Sequence, residues 1–391
     1  MRNKIEKILK EIEVDMIRFT QELVKIKSFT QEESEIAMCV KQKMIDLGYD
    51  DVIQDPMGNI IGVIGSGETK IMYDSHLDTV QEGDVSKWTM NPFGGDIKDD
   101  KIYGRGTVDM KSAIAASVYA GYAIKELGLD KDKTIYVSTS VMEEDFDGEA
   151  LMYILKSQNI APDMTVICEP SSLQIATGHR GRALIKVTTE GVSAHGSAPD
   201  KGLNAIYKMT TITERIKALQ EVFQTSKKEF GTIAVTKIES EAVSLNAIPS
   251  ACSIYIDRRL VIGEDEPFIE EEMNMLLKDT QATWEVYDEV GQSWTGQPVV
   301  LRSFLPAWEI DLDHPLVKGA SYSHETIHEQ KTNLIKWDFC TNGVASAGVY
   351  GIPTIGYGPG NPKMAHKVDE YCELEDIKNA FKFYTLLPHT V

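Results

Sequence analysis

The sequence predicts an α/β fold: a mixed, mostly parallel sheet flanked by helices, into which a smaller α+β layer is inserted. Three observations predict it. Up to residue 168, short β-branched runs alternate with segments of helical apolar spacing, the pattern of a largely parallel sheet with helices on both faces. From about residue 179 to 295 the order becomes strand, helix, strand, strand, helix, strand, which reads as a ferredoxin-like layer. The first pattern then returns. Residues 1–178 and 296–391 are therefore expected to form one discontinuous domain around an inserted 179–295 domain, and 391 residues suffice for two or three cores.

The elements follow in order. Asn3 to Lys25 carries Ile5, Ile8, Leu9, Ile12, Met16, Phe19 and Leu23 at helical spacing. Glu32 to Leu47 is a second helix, closed by Gly48. Short strands near Asp51–Gln54 and Asn59–Ile64 precede a strand from Thr69 to Asp74, which leads into Ser75-His76-Leu77-Asp78-Thr79. Trp88 to Ile102 reads as loop, and Met110 to Leu127 as a small-residue helix ended by Gly128. Thr134 to Met142 is a buried strand running into Glu143-Glu144-Asp145. A helix over Gly148–Gln158 leads to the strand Met164–Cys168, which ends at Glu169-Pro170. In the inserted part, strands fall at 183–189, 231–238, 250–257 and 283–290, with helices at 203–223 and 267–278. Strand-like segments at 334–339 and 353–357, a loop at Met364-Ala365-His366 and a helix at 374–387 close the chain.

Bulk composition excludes some functions. Sixty acidic and 40 basic residues give a net charge of −20, against binding to nucleic acid or an anionic membrane, both of which need basic patches. No run approaches the roughly 18 apolar residues of a membrane span. The charged Met1–Lys10 segment has no signal-peptide core, so a cytoplasmic location is expected. Five scattered cysteines without a Cys-x-x-Cys read as reduced thiols.

Ligands of open α/β sheets bind beyond the carboxyl ends of the strands. His76, Glu143, Glu144 and Glu169 all fall at such ends, and Asp109 ends the Gly-rich loop Gly104-Arg105-Gly106-Thr107-Val108-Asp109. With His366 they make two imidazoles and several carboxylates, donors suited to Zn²⁺ with Co²⁺ or Mn²⁺ as substitutes. Two metals about 3.5–4 Å apart need a bridge, which a carboxylate supplies, and together they activate water and polarise a carbonyl. A carboxylate outside the ligand set, here Glu143, can take the proton. Singly, each residue also has an ordinary reading: Glu143-Glu144-Asp145 as a solvated helix start, Asp109 as a helix cap, His366 as a surface loop residue.

Together, Ser75-His76-Leu77-Asp78-Thr79, Gly104 to Lys111, Glu143-Glu144, Glu169-Pro170 and Ala365-His366 resemble the dinuclear zinc metallopeptidase family that includes acetylornithine deacetylase, succinyl-diaminopimelate desuccinylase, aminoacylase and glutamate carboxypeptidase. The likeness runs in order over nearly the whole chain, and implies a zinc-exopeptidase-like fold with an inserted lid and dimerisation domain. Thr341-Asn342-Gly343 and Gly356-Tyr357-Gly358-Pro359-Gly360 resemble a subgroup of peptidases linked with selenium metabolism. The resemblance implies two zinc ions, with His76 and Glu169 on one, Glu144 and His366 on the other, and Asp109 bridging. Asp78 would orient His76, Glu143 would be the general base and acid, and the Asp109-Met110 peptide would be cis. In Ser193-Ala194-His195-Gly196-Ser197, His195 resembles the lid histidine that reaches a partner subunit's site. Asn246, Arg259 and Gly343 resemble substrate-binding positions, although Arg259 also has Asp257 nearby as an ion-pair partner. Ser75 and Ser112 replace the family's usual glycines, and Asp145-Phe146-Asp147-Gly148 departs from its pattern after the acidic pair. These changes affect the pocket floor and remove no ligand.

The expected function is metal-dependent hydrolysis of an amide bond in a small peptide or N-acyl amino acid by a homodimer joined through the inserted domain. The alternatives are a specific N-deacylase, an inactive metal-binding dimerisation scaffold, and a two-metal phosphoesterase. The intact Glu143 disfavours the scaffold, and the absence of a P-loop pattern disfavours the phosphoesterase.

Overall fold

The computed structural model describes residues 1–158, 160–226 and 231–391. The chain divides into two compact units: 1–179 with 290–299 and 309–391, and 180–289 with 300–308. The second break therefore differs from the one expected at 295. The physical reason is strand pairing, because Phe304–Leu305 pairs with the strand Gly181–Glu190 and draws 300–308 into the smaller unit.

The larger unit is built on a nine-stranded sheet. Thr69–His76 lies between Lys133–Ser140 and Met164–Ile167, parallel to both, and Thr354–Gly356 runs parallel to Met164–Ile167. Asp51–Gln54 and Ile60–Gly65 continue the sheet antiparallel. Helices Arg2–Lys25, Ser112–Glu126 and Leu374–Leu386 pack on one another. Ser112–Glu126 is buried almost throughout, as its alanine-rich sequence implied. Gly121 is required there, because a Cβ would lie 2.1 Å from the Tyr49 hydroxyl, which donates to the Val118 carbonyl.

Several elements depart from the expectation. The 88–102 loop contains the strands Asp96–Lys98 and Lys101–Tyr103, which join Tyr371–Glu373 in a separate three-stranded sheet. Their turn, Asp99-Asp100, has positive φ at both residues, the geometry that hairpins favour but usually build with Asn-Gly or Asp-Gly. The helix expected from Met110 starts at Ser112, because Thr107–Lys111 is kinked at Asp109 and Met110. Pro315–His328 is a helix that sequence reading missed. Its signal was a proline at the first turn with apolar residues at 316, 317, 320 and 327.

The smaller unit places Thr232–Glu241, Ala251–Leu260, Gly181–Glu190 and Thr283–Val286 in that order, all antiparallel. The expected strand 283–290 breaks after Val286, and Asp288–Gln292 is a separate strand. Ala251–Leu260 alternates buried and half-buried residues, as a strand with one core face must. Helices Ala205–Thr225 and Glu266–Leu276 cover that face through Met209, Ile212, Ile216, Ile269 and Met273. Arg258 is fully buried between Glu264 at 2.8 Å and Glu272 at 2.9 Å. Thr232–Glu241 is the outer strand, and its Ile238 is exposed.

Candidate metal centre

The parallel register brings the chemistry to one edge of the larger unit. His76 pairs with Ser140 and Asp74 with Ile167, so three strands end together. His76 is the last residue of its strand, Glu143 and Glu144 follow Ser140, and Glu169 follows Ile167. The strand Thr354–Gly356 ends beside them. Gly358 must be glycine, since a Cβ would come within 2.2–2.3 Å of the Cys168 and Glu169 carbonyl oxygens.

His76 Nε2 lies 2.9 Å from Asp109 Oδ1, 3.4 Å from Glu169 Oε1 and 4.0 Å from Glu143 Oε2. His366 Nε2 lies 3.2 Å from Asp109 Oδ2 and 3.2 Å from Glu144 Oε2. Asp109 thus turns one oxygen to each imidazole. His76, Glu143 and Glu169 have ligand atoms within 4.8 Å of one another, and so do His76, Asp109 and Glu144. All six residues expected at the centre converge. Glu143 is 6 % exposed, which removes the solvated-helix reading of the acidic pair, and Asp109 makes no helix-capping bond. The Asp109–Met110 peptide is cis.

Four consecutive amides after the strand Lys133–Ser140 each donate to a buried side chain. Val141 N–H goes to Asn59 Oδ1 at 2.9 Å, and Met142 N–H to Glu33 Oε1 at 2.9 Å. Glu143 N–H goes to Asp78 Oδ1 and Glu144 N–H to Asp78 Oδ2, both at 3.0 Å. Thr30 Oγ1 also donates to Asp78 Oδ2, at 2.8 Å. His76 Nδ1 lies 3.0 Å from the Asp78 carbonyl oxygen and 3.5 Å from its carboxylate. Asp78 therefore meets His76 most closely through its backbone, while its carboxylate fixes the acidic pair. Glu370 plays a similar part beneath Asp109. Its Oε1 accepts from Val108 and Asp109 N–H, and Arg105 donates to its other oxygen.

Electrostatics favour a cation. Burial, with the neighbouring Glu169, Asp147 and Glu144 charges, pushes the Glu143 carboxyl well above its usual range against the opposing effect of His76. Burial and then the Asp109 charge raise Glu169 to about 7. Burial opposes charge on His76, yet Glu169, Asp109 and Asp78 outweigh it and raise its pKa. Burial would raise Asp109, but the two imidazoles hold it below the usual carboxylate range. Hydrogen bonds to Asp109 and Glu144 raise His366 to about 10. Four carboxylates against two imidazoles is an excess of buried negative charge, and this oxygen and nitrogen donor set fits divalent Zn²⁺, Co²⁺ or Mn²⁺.

His195, Asn246 and Arg259 belong to the smaller unit. His195 Nδ1 accepts from Ser197 N–H at 3.1 Å, which leaves the proton of a neutral ring on Nε2. Gly196 N–H donates to the Asn246 carbonyl at 2.7 Å, and Asn246 Oδ1 accepts from Ser244 Oγ. Arg259 makes a two-pronged ion pair with Asp257, at 2.8 and 3.1 Å. Gly343 is buried, and its N–H already donates to Thr341 Oγ1. Glu33, Asn59, Arg105 and Glu370 were not foreseen as parts of the site.

The profile of peptidase family M20/M25/M40 matches residues 72–389. The Escherichia coli (strain K12) protein YgeY, described as uncharacterized, is 36% identical over 384 residues, covering 97% of this chain and 95% of that protein. Acetylornithine deacetylase of Salmonella typhimurium (strain LT2) is 28% identical over 357 residues, covering 88% and 87% of the two chains. Among solved structures, the Bacillus subtilis YXEP protein, a dinuclear metal-binding peptidase, superposes with a TM-score of 0.73 at 12% identity over 98% of this chain and 100% of that one. The profile match, spanning every one of the converging residues from His76 to His366, places the chain in peptidase family M20/M25/M40.

Proposed function

We propose that this metal-dependent hydrolase of peptides or N-acyl amino acids works with two metal ions, Zn²⁺ or in substitution Co²⁺ or Mn²⁺. The observation that carries the reading is Asp109, with Oδ1 2.9 Å from one imidazole and Oδ2 3.2 Å from the other. His76 and Glu169 would hold one ion, Glu144 and His366 the second, and Asp109 both. Such a pair supplies water activation and carbonyl polarisation. Glu143 takes the proton of the attacking water on its carboxylate and delivers it to the leaving amine nitrogen. Its burial suits this, since burial raises the affinity of the carboxylate for a proton. Asp78 keeps Glu143 and Glu144 in place by their amides.

The smaller unit is a lid and dimerisation domain in this reading. Its outer strand Thr232–Glu241 offers an edge for a second copy. His195, protonated at Nε2, donates to the developing oxyanion in the partner's site. Asn246 and Arg259 receive the polar end of the substrate, with Arg259 exchanging Asp257 for a substrate carboxylate. The location is taken to be cytoplasmic. No helix of the described residues is long and apolar enough to cross a membrane.

The test is a panel of dipeptides and N-acyl amino acids with added Zn²⁺, Co²⁺ or Mn²⁺. Metal-dependent release of amino acids is expected, and no turnover on any member would refute it. A second reading, specific N-deacylation, is favoured by the match to acetylornithine deacetylase over 88% of the chain. Release of acetate or succinate, with dipeptides untouched, would select it.

A further inference from the structure

We propose that Glu33 is a positioning residue for the metal centre: its carboxyl oxygen holds the Met142 amide and thereby sets the Glu143–Glu144 pair. The inference rests on the two-metal reading above. Glu33 precedes the helix Ser34–Asp46 yet makes no capping bond to it. Its side chain turns the other way and is fully buried. Oε1 accepts from Gln31 N–H at 3.0 Å and Met142 N–H at 2.9 Å, while Oε2 is buried without a hydrogen-bond partner. A buried polar atom left unpaired is costly and calls for an explanation.

The bonded oxygen, Oε1, holds an unusual turn at Met142. Its φ of 60° is left-handed, an uncommon conformation for a non-glycine residue. The next two amides go to Asp78, so the turn that aims Glu143 and Glu144 rests on two buried carboxyl groups. Thr30 and Glu33 lie in one segment and serve both ends of that turn, Thr30 through Asp78 and Glu33 through Met142. Burial, then the Asp78 charge, raises Glu33 to about 8. A neutral acceptor is therefore enough, and glutamine should replace it where the shorter aspartate cannot reach.

The experiment compares Glu33→Gln, Glu33→Asp and Glu33→Ala in the full chain. Zn²⁺ affinity is measured by chelator competition, and the Co²⁺-loaded protein by its visible absorption spectrum. Wild-type affinity and spectrum are expected for Glu33→Gln. Glu33→Asp and Glu33→Ala should weaken one of two sites by about 10–100-fold, the usual size for a group behind a ligand, and should alter the Co²⁺ spectrum. A purely structural role would lower the melting temperature and leave that spectrum alone. If Glu33→Ala fails to fold, the aspartate and glutamine variants decide. Wild-type affinities and spectrum in Glu33→Asp overturn the proposal, and so does a Glu33→Gln variant as weak as Glu33→Asp. Two sites in the wild type with no change in the variants refutes the role of Glu33 alone. A wild-type chain that takes up no metal refutes the two-metal reading itself, and this inference with it.

Discussion

Asp78→Asn should loosen the acidic pair without removing a ligand. The Asp78 carboxylate is fully buried and accepts from the amides of Glu143 and Glu144 at 3.0 Å and from Thr30 Oγ1 at 2.8 Å. An amide of the same shape has one acceptor oxygen and one NH₂ donor. Whichever way the substituted side chain is flipped, its NH₂ faces one of the two backbone N–H groups. That N–H is orphaned, at about 1–3 kcal/mol, and the surviving bonds lose their charge assistance, for a total of about 2–5 kcal/mol. Urea unfolding of the metal-free variant reads this loss. Metal titration should show about 10–100-fold weaker binding, because Glu144 is no longer held. Unchanged stability together with unchanged metal affinity would refute the assignment of Asp78 as the anchor of the pair.

Glu143→Gln should retain both metals by elemental analysis and lose about 10²–10⁴ in turnover, because an amide accepts no proton. Asp109→Asn should deplete both metals and His366→Ala mainly one, read as metal content per chain after dialysis. In the metal-free chain, Glu33 has a folded value of about 8 against its ordinary 4.5. Folding thus favours its protonated form, so its contribution is complete below pH 4.5 and is lost as pH rises through about 8. Stability should therefore fall as pH rises between these values, and a flatter profile is expected in Glu33→Gln, read by urea unfolding across pH. Mixed His195→Ala and Glu143→Gln subunits should recover activity if His195 serves the partner's site. Donors of this kind are worth about 10²–10³ in turnover, and confirmed subunit exchange without recovery would refute the shared site.

The converging residues proposed as ligands were legible because strand ends are legible. Ile71–Tyr73, Ile135–Val137 and Thr165–Ile167 form β-branched or apolar centres of the runs that lead to His76, Glu143 and Glu169. The supports were not legible. Glu33 stands in Gln31-Glu32-Glu33-Ser34-Glu35, a run that reads as solvated helix start; only the fold shows which glutamate turns inward. Glu370 follows His366 by one helical turn's length in a loop, and nothing local says it reaches the amides of Val108 and Asp109. Asn59, expected only as the start of a strand, and Asn342, expected only as part of a Thr-Asn-Gly motif, are buried bridges in the structure. Such contacts join distant segments, and single-sequence periodicity carries no information about which distant segments meet. The pairing of Phe304–Leu305 with Gly181–Glu190 was hidden for the same reason.

The order of the proposed ligands along the chain has a consequence for biosynthesis. His76, Asp109, Glu144 and Glu169 all precede the smaller unit, whereas His366 follows it. His366 trails Glu169 by roughly 200 residues, on the order of 10–40 s of translation at ~5–20 residues per second. Throughout that interval the nascent chain carries a partial carboxylate cluster whose second imidazole has not been made. A cation that binds only the finished arrangement stabilises it by mass action and does nothing for the unfinished one. Ribosome-stalled chains ending before Met364 should therefore bind Zn²⁺ weakly, and released full-length chains tightly, which makes metal capture a late and effectively post-translational event.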